Sequence, residues 1–202
     1  SELARNSKPI TAGFPATTVT SLGSICTGRP PGQHGILGYQ VIIPGENRLL
    51  NSLRWDAKVD PRQWQPLPTI YERATAAGIA AVHVAQGSFR GTGLTVATMR
   101  GADFRPADSM GALAAQAAAA ITGNARAYVS VYHGDLDATG HVFGVASDAW
   151  YNHLAHVDKL AEQLAGELPS GACMYVTADH GMVDISPEAL FDVDARPELR
   201  AG

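Results

Sequence analysis

Ala172-Cys173-Met174-Tyr175-Val176-Thr177-Ala178-Asp179-His180-Gly181-Met182 runs from an apolar stretch into an adjacent acid–imidazole pair and a glycine. The run reads as a buried parallel strand over 172–177, with the pair at its carboxyl end. In open α/β sheets that end is where ligands collect. A carboxylate beside a neutral imidazole offers one oxygen and one nitrogen ligand, a set that suits zinc or manganese. Taken alone, the same residues also fit an Asp that caps a turn beside an incidental His.

Working upstream, Ala127-Tyr128-Val129-Ser130-Val131-Tyr132 reads as another core strand, opening into His133-Gly134-Asp135-Leu136-Asp137-Ala138-Thr139-Gly140-His141. Asp137 and His141 are four residues apart, so a helix-like turn puts both side chains on one side. This is a second O/N pair at a second strand end; a solvated, Gly-containing loop is the alternative. Near the start, Lys8 to Phe14 alternates weakly as a strand and Pro15 breaks it. Leu22, Ile25 and Cys26 then repeat at helical spacing until Gly28 and Pro30 stop the pattern. Thr17 or Thr18 therefore lies at a helix N-terminus, where free N–H groups and the helix dipole favour an anion. A hydroxyl there is either an ordinary N-cap or a nucleophile activated by metal.

Three blocks resemble, in order, the alkaline phosphatase superfamily in its type I phosphodiesterase/nucleotide pyrophosphatase branch. They are Phe14-Pro15-Ala16-Thr17-Thr18 through Thr27-Gly28-Arg29-Pro30-Pro31-Gly32-Gln33-His34-Gly35-Ile36, then Asp137 to His141, then Asp179-His180-Gly181-Met182. The resemblance spans nearly the whole chain. It implies an alkaline-phosphatase-like core that hydrolyses phosphodiester or pyrophosphate bonds in small-molecule or nucleotide substrates. It also implies two divalent metal ions, zinc foremost and manganese second. Asp179 and His180 resemble ligands of one metal, Asp137 and His141 ligands of the other. Thr18 matches the family's nucleophile, itself a metal ligand, with Thr17 the alternative register. Tyr39 stands where the family places an Asn against the substrate phosphate. The implied reaction is a two-step in-line displacement through a phosphothreonine.

One family ligand of each metal, an upstream Asp and a downstream His, has no counterpart between Ser1 and Gly202. The chain accordingly reads as one incomplete catalytic core over 1–202, lacking the family's first strand and its C-terminal part. By itself it is expected to be weak or inactive, with metal sites empty or partly filled. Asp135 or His133 are conceivable substitutes without a motif behind them. A missing first strand exposes a sheet edge and so favours self-association. The alternatives are another hydrolase of the superfamily, acting on phosphomonoesters or phosphonates, or a non-catalytic metal-binding fragment. A sulfatase is disfavoured because its nucleophile is a modified Cys or Ser.

The remaining sequence supplies bounds. With 202 residues, 46% apolar and 17% charged, the chain can bury one good core. A formal net charge of −4 gives no support for nucleic-acid binding through a basic surface. Cys26 and Cys173 sit among apolar residues and read as buried free thiols. The longest small-apolar run, Met110 to Ile121, is Ala-rich and interrupted by Gln116, so no membrane span is expected. No signal peptide is visible, and the sequence does not fix a compartment.

Further elements alternate. Residues 28–38 read as a loop, 39–43 as a strand, 44–47 as a turn and 48–68 as irregular, with Trp55 and Trp64 available for packing first and for substrate stacking second. Helix 69–77 ends at Gly78, strand 79–85 follows, and 92–98 offers another strand. Ser109 caps a helix reaching Ile121. A long helix from Ser147 or Asp148 to Glu167 presents Trp150, Leu154, Val157, Ala161, Leu164 and Leu168. Strand and helix in alternation predict a mostly parallel sheet with helices on both faces. His83 reads as a core residue with a bonded ring, and His34 as a loop-shaping one. His153 and His156, three apart on the long helix, read as a polar flank or as metal ligands.

Overall fold

In a computed structural model that describes residue 5 and residues 7–199, the elements follow one another as α1 (Thr18–Thr27), α2 (Pro31–His34), β1 (Gln40–Ile42), β2 (Leu49–Asn51), α3 (Pro61–Trp64), α4 (Ile70–Ala76), β3 (Ala80–Ala85), α5 (Gly93–Met99), β4 (Asp103–Pro106), α6 (Met110–Thr122), β5 (Ala127–Val131), α7 (Asp135–Phe143) and α8 (Asp148–Gly166). A three-stranded parallel sheet, ordered β4-β3-β5, forms the centre, and β1 and β2 form a separate antiparallel pair.

The period of two along the strands decides what each face buries. Val82 and Val84 lie with Val129 and Val131 under Leu113, Ala114 and Ala117 of α6 and Leu160 and Leu164 of α8. Ala81, Tyr128 and Tyr132 face the other way, against Leu22 and Cys26 of α1, Tyr71 of α4 and Met99 of α5. Helices thus cover both faces, as the alternation predicts. Each buried Val or Leu contributes roughly 1.5–3 kcal/mol.

Local chemistry starts the helices where the sequence places them. Thr69 and Glu72 close a reciprocal capping box on α4, and the Ser109 and Ser147 hydroxyls accept from the N–H groups of Ala112 and Trp150. His83 is buried, with Nδ1 2.7 Å from the Ser130 hydroxyl; burial lowers its pKa to about 4. His34 is buried as well. Its Nδ1 accepts from the Ile36 N–H at 3.1 Å and its Nε2 lies 3.0 Å from the Ser24 hydroxyl, which fixes the loop after α1. Trp55 and Trp64 meet edge to face at 6.2 Å beside Val19, Ile36 and Ala97. Packing is their use.

Several sequence expectations are corrected. Residues 8–14 form no strand: Pro9 removes a ladder donor, and Ile10 and Phe14 are 80% and 91% exposed, so no face of the segment is covered. The predicted strand over 172–177 is irregular; Met174 alone reaches the core, while Tyr175 is 91% exposed. Small neighbours such as Ala172 and Ala178 bury too little to offset ordering the backbone without a ladder partner. Cys173 is consequently exposed, whereas Cys26 is buried and its thiol is pushed up to about 12 by desolvation. Residues 92–98 belong to a helix, α5, because Thr92 caps the Thr95 N–H. The irregular 48–68 stretch holds β2 and α3, and the unassigned 87–105 stretch holds the start of β4. On α8 the buried residues are Leu160, Ala161 and Leu164, while Leu154 is exposed.

Candidate active site

Thr18 is the first residue of α1, and Thr17 is its N-cap with extended backbone and no side-chain capping bond. The Thr17 hydroxyl instead donates to the Thr20 hydroxyl at 3.1 Å. Thr18 Oγ1 lies 3.0 Å from Nε2 of His180, a contact across 162 positions of sequence. Nδ1 of His180 lies 2.8 Å from the Gly181 carbonyl, which can only accept. In the neutral ring the proton therefore sits on Nδ1, and the Nε2 lone pair faces the Thr18 hydroxyl.

Two carboxylates flank this pair. Asp137 Oδ1 and Asp179 Oδ2 lie 3.9 and 3.8 Å from His180 Nε2. Both oxygens are shielded from solvent and meet no hydrogen-bond donor among the described residues. Buried acceptors are rarely left so. Asp137 starts from the first turn of α7, where the helix dipole favours an acid. The helical spacing brings His141 Nε2 to 3.5 Å from Asp137 Oδ2, although the His141 side chain remains 71% exposed. The residues thus lie in one neighbourhood: Thr18, Asp137, Asp179 and His180 converge, with His141 at the rim. Among the described residues no three His, Cys, Asp or Glu side chains surround one point in the manner of a closed metal site. The orphaned carboxylate oxygens and the inward Nε2 nonetheless fit a cation as partner.

Tyr39 is half-exposed at the approach to β1. Its carbonyl accepts from the Ser52 N–H at 2.9 Å, and its hydroxyl makes no hydrogen bond among the described residues. His133 and Asp135 pair with each other at 4.0 Å, and His133 stacks on His153 of α8 rather than joining the Thr18 cluster.

Sequence reasoning missed Tyr132, whose signal was its place at the end of the β5 run. Burial, followed by the charges of Asp179 and Asp137, pushes its phenol up to about 12, with the facing Thr18 hydroxyl pulling the other way. It also missed what fastens the 179–184 segment. A Cβ on Gly140 would lie 2.2 Å from Met182 Sδ, so the glycine of the second motif makes room for the methionine of the third. The Val145 N–H donates to Asp184 Oδ1 at 2.9 Å.

An α/β core with helices on both faces of a parallel sheet, and a cluster of hydroxyl, carboxylates and imidazole gathered from a helix start and two later segments, is the architecture of an alkaline-phosphatase-like protein. The profile described as type I phosphodiesterase / nucleotide pyrophosphatase matches residues 2–197, and the chain belongs to that family. Its fold matches that of murine ectonucleotide pyrophosphatase/phosphodiesterase 5 with a TM-score of 0.56 and 16% identity, over 78% of this chain and 43% of that one. An inactive threonine-to-alanine form of the same murine protein, in complex with AMP, matches with a TM-score of 0.56 and 15% identity over the same shares. The chain therefore spans less than half the length of these structural relatives. No curated protein sequence matches it. No helix among the described residues is long and apolar enough to cross a membrane.

Proposed function

We propose that this chain carries the centre of a metal-dependent hydrolase of phosphodiester or pyrophosphate bonds in nucleotide-type substrates, with Thr18 as nucleophile. The observation that carries the reading is Thr18 Oγ1 at the N-terminus of α1, 3.0 Å from the His180 Nε2 lone pair and flanked by the orphaned Asp137 and Asp179 oxygens. Family membership supports it, as does the murine relative described as inactive after loss of a threonine and holding AMP.

Thr18, Asp137, His141, Asp179 and His180 are the residues that would hold two divalent ions, zinc first and manganese second; when bound, these lower the hydroxyl pKa and neutralise phosphoryl charge. In the first half-reaction the Thr18 oxygen bonds to phosphorus in line with the departing oxygen, whose bond breaks. Water then cleaves the phosphothreonine and returns the hydroxyl. The free N–H groups of α1's first turn suit the phosphoryl oxygens. Tyr132, held protonated, offers its O–H beside the nucleophile, and Tyr39, at the position where the family places an Asn, is the residue proposed against the substrate phosphate.

The test compares a nitrophenyl phosphodiester with the monoester, using the protein that carries this chain. Diester turnover should disappear with a chelator and return with zinc. Thr18→Ala should cost at least about 10³-fold in kcat, with Thr17→Ala within a few-fold of wild type. An active Thr18→Ala protein overturns the assignment. Preference for the monoester points to the phosphomonoesterase alternative, and zinc binding without turnover to a non-catalytic one.

A further inference from the structure

β5 leads directly into His133, whose imidazole lies over α8. The His133 and His153 ring centres are 6.5 Å apart and nearly parallel, at 23°. His156 stands one helical turn further, its ring 6.0 Å from that of His153 and at 73° to it. Two nitrogens in this trio, His133 Nε2 and His153 Nδ1, are closed off from solvent and meet no hydrogen-bond partner among the described residues. Asp135 Oδ2 approaches His133 Nε2 to 4.0 Å from a mostly exposed side chain.

An imidazole nitrogen carries either a proton or a lone pair, and burial of either without a partner is costly. Each of these two nitrogens, on adjacent rings, is left short of a partner. Burial works against charging His133 and outweighs the opposite pull of Asp135, with His153 and His156 adding to the burial effect. The ring is thereby kept in the neutral form that ligates metals. Three imidazoles with a carboxylate at the rim are the donors that zinc, nickel and copper take. A spacing of three places His153 and His156 on one face of α8.

We propose that His133, His153 and His156, with Asp135 at the rim, form a further site for a divalent transition metal, where the loop after β5 meets α8. None of the four belongs to the set proposed for phosphoryl transfer, so the inference goes beyond that reading and stands apart from it. In the present arrangement the rings stack rather than converge on one point. Seating an ion needs them to turn about χ2, a torsion with a broad well. The ion would then clip the segment that launches α7 to the neighbouring helix.

Titration of the full chain with Co2+, followed by its visible absorption, tests this. Wild type and the His180→Ala variant should share one saturable component. The His153→Ala/His156→Ala double variant should bind that component about tenfold or more weakly. His156→Gln alone, at an exposed position that leaves the core untouched, should weaken it in the same direction and keeps the test available if the double variant fails to fold. Unchanged binding in these variants overturns the proposal. So does loss of the component in His180→Ala alone, or the absence of any saturable component, which would leave a bridging water as the partner of the two nitrogens.

Discussion

The two Asp/His pairs of this chain are held in place in opposite ways. Asp137 and His141 sit one helical turn apart on α7, and α7 follows β5 of the sheet, so the covalent geometry of one helix sets their separation. Asp179 and His180 lie on irregular backbone, with no ladder or helix to position them. They are nevertheless the better buried pair: 19% and 13% of their side chains are exposed, against 38% and 71% for Asp137 and His141. Three tethers hold them: the Thr18 hydroxyl on His180, Met182 against Gly140, and Asp184 on the Val145 N–H. Regular structure places a residue cheaply but leaves it accessible, whereas long-range contacts place one by enclosing it.

The comparison breaks most visibly at its strongest tether. His180→Ala removes the Thr18 contact together with the inward lone pair, and turnover should fall by at least about 100-fold. His141→Ala, at the exposed rim, should fall by about 10-fold and recover in part with excess zinc, because the helix still presents Asp137. Steady-state kinetics across a zinc series separates the two. Equal losses with equal recovery would show that burial confers no difference.

Legibility in the sequence follows the same division. The Asp137/His141 pair and the strand before it were readable because a period of four and an apolar run are local signals. The Asp179/His180 pair was readable as a motif, yet its support was misread. The 172–177 run looks like a strand, but a strand is defined by a partner's hydrogen bonds, which no local pattern contains. Thr92–Thr98, offered as a strand within an otherwise unassigned stretch, is a helix started by the Thr92 cap. Tyr132 and Asp184 carried no motif at all. Their roles exist only once segments far apart in sequence are brought together.

The sheet under the helical pair supplies the next test. Burial depresses the His83 pKa from 6.5 to about 4, so the folded protein keeps this ring neutral where the unfolded chain protonates it. Stability is full above pH 6.5 and should decline as pH falls toward 4, by on the order of 3 kcal/mol. His83→Gln should flatten that window in denaturant titrations run between pH 7 and 4, whatever its stability at neutral pH. A slope that persists in the variant would place the acid sensitivity elsewhere.

The second tether separates order at the site from stability of the whole. Gly140→Ala would gain up to about 1 kcal/mol in helix propensity within α7. The new Cβ would meet Met182 Sδ, the flexible part of a side chain, and displacing it would cost about 1–3 kcal/mol. At the low end of that cost the two effects cancel in the melting temperature, and only one of them moves the 179–184 segment. Turnover should fall several-fold with little change in Tm. A parallel drop in both would mean that Met182 belongs to the folding core rather than to the site.

The third tether is the weakest. The bond from the Val145 N–H to Asp184 is exposed to water, so it competes with solvent and should contribute at most about 1 kcal/mol. Its geometry gives it a local use nonetheless. Gly144, at φ +87°, turns the chain out of α7 and places the Val145 N–H opposite the carboxylate, joining the end of one pair's helix to the tail of the other pair's segment. Asp184→Ala should leave the melting temperature within about 2 °C of wild type, the shift expected of a fraction of a kcal/mol in a chain of this size. Hydrogen exchange at the Val145 amide should quicken while exchange across β3 and β5 stays as it was. Asp184→Asn, which keeps an acceptor oxygen, should restore most of that protection. If protection at Val145 is unchanged in Asp184→Ala, the two pairs are joined only through Thr18 and Met182.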